Sequence, residues 1–173
     1  KDISVNSFGK SVISWLSSLD TDYYVVYIED VNGAWITLDT VIFGINFYEF
    51  DNSSALNIVE KFSIRAVDSC GNSRERSLEH NSIFLEYTSD VCNSSISLDW
   101  NDYINWENGV SHYKVFLLEI NQDNVSSSTV TRVPLTSGLL LNNINLRSTY
   151  TAYIQAYNDD STYIAMSNVL NLS

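Results

Sequence analysis

One proline, two cysteines, one methionine and six glycines are all that 173 residues contain of these types. With so little proline and glycine, most turns must be made by Asn, Asp, Ser and Thr, whose side chains hydrogen-bond nearby backbone. Cations are scarce as well. Nine Lys and Arg stand against 21 Asp and Glu, a net charge of −12. That balance excludes nucleic acid as a partner, because phosphate contacts need clustered cations. It also opposes an anionic membrane surface, while a neutral ligand, a cation or another protein stays open. No run approaches the ~20 apolar residues of a membrane-spanning helix. The opening KDISVNSFGK has no apolar core of a signal peptide, and Lys1 in place of Met is the start expected of a mature product or an excised fragment. No segment carries a sustained helical apolar period, so the expected fold class is all-β.

What is abundant supports this. Eleven Tyr and seven Phe, with many Val and Ile, are strand formers. Strand-like runs recur between polar clusters: SVISWLS, YYVVYIED, AWITLDTVIF, NFYEFD, KFSIRAVDS and NSIFLEY, then SISLDWN, HYKVFLLEIN, STVTRVPL, LLLNNINL, TYTAYIQAYN and SNVLNLS. The two series agree in kind and order, an internal repeat. Trp15 matches Trp100. Tyr24, Val26 and Ile28 match Tyr113, Val115 and Leu117. Phe62, Ile64 and Ala66 fall in step with the alternation Tyr150, Ala152, Ile154, Ala156. Period-2 alternation buries one face of each strand, and about seven such strands per copy predict two tandem two-sheet sandwiches.

Chemistry is harder to find. No G-x-S-x-G elbow, phosphate-binding loop or H-E-x-x-H pair is present, so no enzyme, cofactor or metal is predicted. His80 precedes a strand run and reads as a structural hydrogen-bonding residue, and His112 reads as solvent-exposed. Asp20 with Asp22, and Asp159 with Asp160, could offer oxygens to calcium, but lack the D-x-D-x-D-G spacing. Trp15 and Trp100 belong in the core by strand position. Trp35 and Trp106 are the candidate ligand-binding residues, since an exposed indole stacks on sugar rings; sheet packing is the competing role. Sequons stand at Asn52, Asn93 and Asn124. Cys70 and Cys92 leave three options: a bridge, two free thiols, or a zinc site with His80 and His112. The last lacks any close Cys–Cys or His–His pair.

An early-strand Trp and a late-strand aromatic around an all-β core resemble the fibronectin type III module, here twice, expected over 1–87 and 88–173. A narrower resemblance lies in the middle. Asp68, Ser69, Cys70, Gly71, Asn72, His80, Ile83, Leu85, Cys92, Leu98, Trp100, Tyr103, Trp106, Gly109, Val110 and Tyr113 follow a run similar to the tandem modules upstream of the sorting domain in gliding-motility-associated surface proteins of Bacteroidetes. Ser82 departs from it, where Thr is preferred, and the sorting domain itself is absent. The resemblance implies a Cys70–Cys92 disulfide at the module junction, worth roughly 3 kcal/mol if it closes its loop of about 20 residues, and an oxidising, extracellular setting. Thr40 (in DTV) and Ser161 (in DST) resemble the O-glycan acceptor pattern of exported proteins in that group. The functional expectation is a non-enzymatic, semi-rigid spacer or adhesion segment of a larger cell-surface or secreted protein. Its partners would be other surface proteins, or glycans if it is instead a carbohydrate-binding accessory module. An immunoglobulin-type sandwich is the fold alternative, but its cysteines would be expected within one module.

Overall fold

The structure, a computed structural model, describes residues 1–121, 126–145 and 147–172, and no helix occurs among them. In the first half, β1 (Asp2–Val5), β2 (Ser11–Ser14) and β5 (Phe47–Glu49) form an antiparallel sheet in the order β1-β2-β5. Facing it, β3 (Tyr23–Glu29), β4 (Trp35–Ile42), β6 (Lys61–Val67) and β7 (His80–Asn81) run in the order β4-β3-β6-β7.

The second half repeats the plan. Strands β8 (Leu85–Asp90), β9 (Ser95–Trp100) and β12 (Gly138–Leu141) give β12-β9-β8. Opposite them, β10 (His112–Ile120), β11 (Ser126–Val133), β13 (Thr149–Tyr157) and β14 (Ile164–Met166) give β11-β10-β13-β14, with β15 (Leu170–Leu172) also on β13. Three strands against four, then three against five with β14 and β15 both on β13, define two fibronectin type III-like, immunoglobulin-like β-sandwiches in tandem.

The repeat holds at single-residue register. Val26 stands opposite Ile64 and Tyr24 opposite Ala66; in the second sandwich Val115 stands opposite Ile154 and Tyr113 opposite Ala156. Each core is built on the same aromatic pair. Trp15 meets Tyr24 at 5.3 Å and 60°, and Trp100 meets Tyr113 at 5.7 Å and 66°. All four are buried, with Ile3, Val5, Ile13 and Phe62 filling the first sandwich and Leu85, Leu98, Ala152 and Ile154 the second. A tilted ring pair adds about 0.5–1.5 kcal/mol to its area burial.

Turns follow the composition. Asn6, Asp30 and Asp68 each accept two backbone N–H groups on a side-chain oxygen, from residues two and four positions on. A glycine with positive φ stands three positions after each: Gly9, Gly33 and Gly71. The motif Asp68-Ser-Cys-Gly-Asn72 is therefore a capped hairpin turn.

One boundary differs from expectation. The run SIFLEYTSD does not close the first sandwich; β8 pairs with β9 from Leu85–Trp100 through Asp90–Ser95, and the two-residue β7 ends the first sandwich at Asn81. The division falls at 82–84, not at Tyr87, because six ladder pairs with β9 claim the strand that its apolar start had suggested for the first sheet.

Candidate functional site: the inter-module junction

The most elaborated part of the molecule is where the sandwiches meet. It grows from a small difference between the repeats. In both, the core tyrosine hydroxyl accepts the N–H of the residue three after the tryptophan: Tyr24 from Ser18 at 2.8 Å, Tyr113 from Tyr103 at 3.0 Å. Yet four more residues separate Trp100 from Tyr113 than Trp15 from Tyr24. The longer β9–β10 loop holds Tyr103 and Trp106, packed together at 4.3 Å and nearly inaccessible. Both rings lie against the first sandwich.

The Tyr103 hydroxyl accepts the Ile3 N–H at 2.9 Å and lies 3.1 Å from His80 Nδ1. Because Ile3 can only donate, the phenol hydrogen is free to point at Nδ1 of a neutral His80. The electrostatics agree. Burial, reinforced by the neighbouring Lys1 charge, lowers the His80 pKa to about 3. Burial likewise raises that of Tyr103 well above the ordinary phenol value. Trp106 Nε1 donates to the Lys1 carbonyl at 3.1 Å and Asn105 to the Glu79 carbonyl at 2.7 Å. Lys1 donates to the carbonyls of Phe62 and Leu78, and burial lowers its pKa to about 7.

Asparagines secure the linker. Asn81 donates to the Asp102 carbonyl and accepts the Ile104 N–H. Asn101 accepts the Phe84 N–H at 2.7 Å and donates to the Ser82 carbonyl. Asn168 grips Leu85 by both its N–H and its carbonyl. On the flank, Ser4 Oγ accepts the Met166 N–H at 3.0 Å. Each bond is worth about 1 kcal/mol net, but leaving such a group buried and unpaired costs 1–3 kcal/mol. Chemically the arrangement is a clasp: it fixes one sandwich on the other.

The residues singled out in the sequence fare differently. His80 is a buried hydrogen-bonding residue of the junction, as expected. His112 is not exposed: its ring stacks on Tyr157 at 4.9 Å, opposite it across β10–β13, and burial lowers its pKa. Trp106 is buried in the clasp and presents no face to a sugar. Trp35, half-buried at the start of β4, carries the Arg76 guanidinium 4.2 Å from its ring centroid, a cation–π contact.

Cys70 and Cys92 are exposed free thiols. Cys70 sits on the Asp68–Asn72 turn, beyond the end of β6 opposite its pairing with β7, and Cys92 lies beyond the end of β8 that points away from Leu85. Each strand is about 20 Å long at ~3.3 Å per residue, so both thiols lie remote from the linker, where the bridge was expected. The clasp does the joining instead. Asp160 is engaged by Asn158 and Thr162, and no group of three metal-ligating side chains occurs among the described residues. Asp20, Asp22, Asp159, Asn52, Asn93, Thr40 and Ser161 lie on the surface; Asn124 falls outside the described residues. Sequence reasoning missed Asn81, Asn101 and Asn168. Their only signal was position, each beside a predicted strand end.

No family profile matches the chain. The vacuolar protein sorting/targeting protein 10 of Schizosaccharomyces pombe is 24% identical over 126 residues, 73% of this chain, and the chain spans 8% of its length. Among solved structures, the FN1–FN3 domains of chicken CNTN1 superpose with a TM-score of 0.41 at 17% identity, over 99% of this chain and 64% of that one.

Proposed function

We propose that this chain is a non-enzymatic, semi-rigid spacer segment of a larger exported protein, holding two sandwiches at a set angle and offering its edges to other proteins. The observation that carries the reading is the clasp: a three-residue linker whose flanks are hydrogen-bonded on both sides and covered by Tyr103 and Trp106. A flexible pair would not bury two aromatic rings and two asparagines, Asn81 and Asn168, at its hinge. Both histidines are engaged in packing, which favours a structural role over a catalytic one. Among the described residues the outer strands β4 and β11 pair on one side only, and they suit strand addition by a partner. The resemblance to exported surface proteins of Bacteroidetes supplies the expected setting, extracellular or at the cell surface.

The native thiols make the test direct. Spin labels on Cys70 and Cys92 report the distance between the two remote ends by pulsed electron resonance. One narrow distance distribution supports the spacer, whereas a broad one, unchanged by Tyr103→Ala, would mean freely jointed modules and end the proposal.

A further inference from the structure

At the junction, the β9–β10 loop of the second sandwich docks on Ile3 and on the Ser82 carbonyl of the first. The repeat carries both sides of this contact to the two outer ends of the molecule. Tyr87 occupies the place of Ile3, each lying across from the residue two before the core tryptophan. Leu172 occupies the place of Ser82: it pairs with Tyr150, whose counterpart Glu60 bonds Ser82. Tyr87 and Leu172, with Val91, Ile96 and Ile144, line an apolar cavity of about 190 Å³. The receiving surface therefore recurs as a cavity whose rim, among the described residues, exposes Tyr87 and Val91.

The position of the docking loop recurs too, with Leu16 and Ser18 where Asn101 and Tyr103 stand. The β2–β3 loop of the first sandwich, the counterpart of the β9–β10 loop, exposes Leu16 by 71% and Leu19 by 83%. Trp15 N–H to the Asn46 carbonyl at 3.0 Å and Phe43 N–H to the Asp22 carbonyl at 2.9 Å tie this loop to the β4–β5 connection. That connection adds exposed Ile42, Phe43 and Ile45 to the same end. End repeats of a stacked array that face water carry polar surfaces, and contiguous apolar patches of this kind mark interaction sites. Here each end exposes apolar side chains, Leu16 and Leu19 on one and Tyr87 and Val91 on the other.

We infer that the free ends bind each other between copies of this chain: the Leu16–Leu19 loop of one copy seats in the Tyr87–Leu172 cavity of the next, continuing the internal junction. The contact joins two different surfaces, so it propagates head to tail instead of closing as a symmetric dimer. The net charge of −12 opposes it at low ionic strength, and salt strengthens it. The inference rests on the repeat and does not require the spacer role.

Sedimentation velocity of the chain over rising concentration, at about 0.5 M salt where the repulsion is screened, tests it. The mean mass should climb from 19.6 kDa past that of a dimer. Leu19→Lys and Val91→Lys, both at exposed positions that leave the cores alone, should each remain monomeric. Mixed in equal amounts, they should form a dimer and nothing larger, because one intact head then meets one intact tail. A wild-type chain that stays monomeric throughout overturns the inference. So does a monomeric mixture, or a Val91→Lys variant that associates like the wild type, which would mean that the Leu19 patch pairs with itself.

Discussion

Glu60 and Tyr150 hold the same place in the two sandwiches, four residues before the isoleucine that faces the central valine. Both tie down the loop that enters the strand, by opposite chemistry. Glu60, buried, accepts from Ser11 Oγ, Ser53 Oγ and the Ser54 N–H, each at 2.7 Å. Tyr150 accepts the Asn145 N–H at 3.0 Å and donates to Glu119 at 3.0 Å. Charge-assisted bonds are about twice as strong as neutral ones, and their loss strands buried partners. Glu60→Ala should therefore destabilise the first sandwich by about 3 kcal/mol, and Tyr150→Phe the second by about 1 kcal/mol. Urea unfolding of the two variants checks the order; equal losses would contradict it.

Tyr103→Phe keeps the ring against Trp106 and removes only the hydroxyl. The Ile3 N–H and His80 Nδ1 then lose their partner inside the junction. The expected cost is about 2 kcal/mol, together with faster amide exchange at Ile3. Unchanged exchange at that amide would show that the phenol bond does not hold the clasp.

Stability should depend on pH through His80. Above about pH 6.5 the imidazole is neutral in folded and unfolded chains alike, and its contribution is complete. Below that, the unfolded chain takes up a proton that the folded chain refuses until about pH 3. Stability thus falls as pH falls across this window, by about 1.4 kcal/mol per unit, or about 2 kcal/mol by pH 5. His112, also lowered by burial, acts in the same direction. In His80→Gln the difference between pH 7 and pH 5 should shrink; urea midpoints at both pH values measure it, and an undiminished slope would assign the effect elsewhere.

Both thiols should react with an aromatic disulfide reagent in the native chain, two equivalents in a single fast phase, since Cys70 and Cys92 are exposed. Recovery of a Cys70–Cys92 linked peptide from the untreated chain would instead restore the bridge that the resemblance implied.

How much of this could be read in advance follows from range. The alternation of Tyr24 and Val26 and the twin tryptophans are local patterns, buried where their spacing required, and Asp30 and Asp68 make turns of the kind the composition required. The motif that runs from Trp100 through Tyr103 and Trp106 was visible as a spacing, yet nothing in it says that the second and third aromatics face a different sandwich. That depends on where Lys1 and Ile3 lie, a hundred residues away in the chain. His112 misled because it opens a strand beside polar residues, while its cover, Tyr157, comes from across the sheet. The bridge that the resemblance implied does not form because two strands of opposite destination lie between the cysteines.

The four additional residues in the β9–β10 loop have a wider implication. Neither core is altered by them: the Trp–Tyr pair and the tyrosine-to-backbone bond are the same on both sides. The inserted loop thus adds the joint's aromatic pair without changing either core. A lineage of such tandems could alter its bend through insertions or deletions in one loop, with every sheet residue untouched, as a joiner changes the angle of a frame by recutting the corner piece alone.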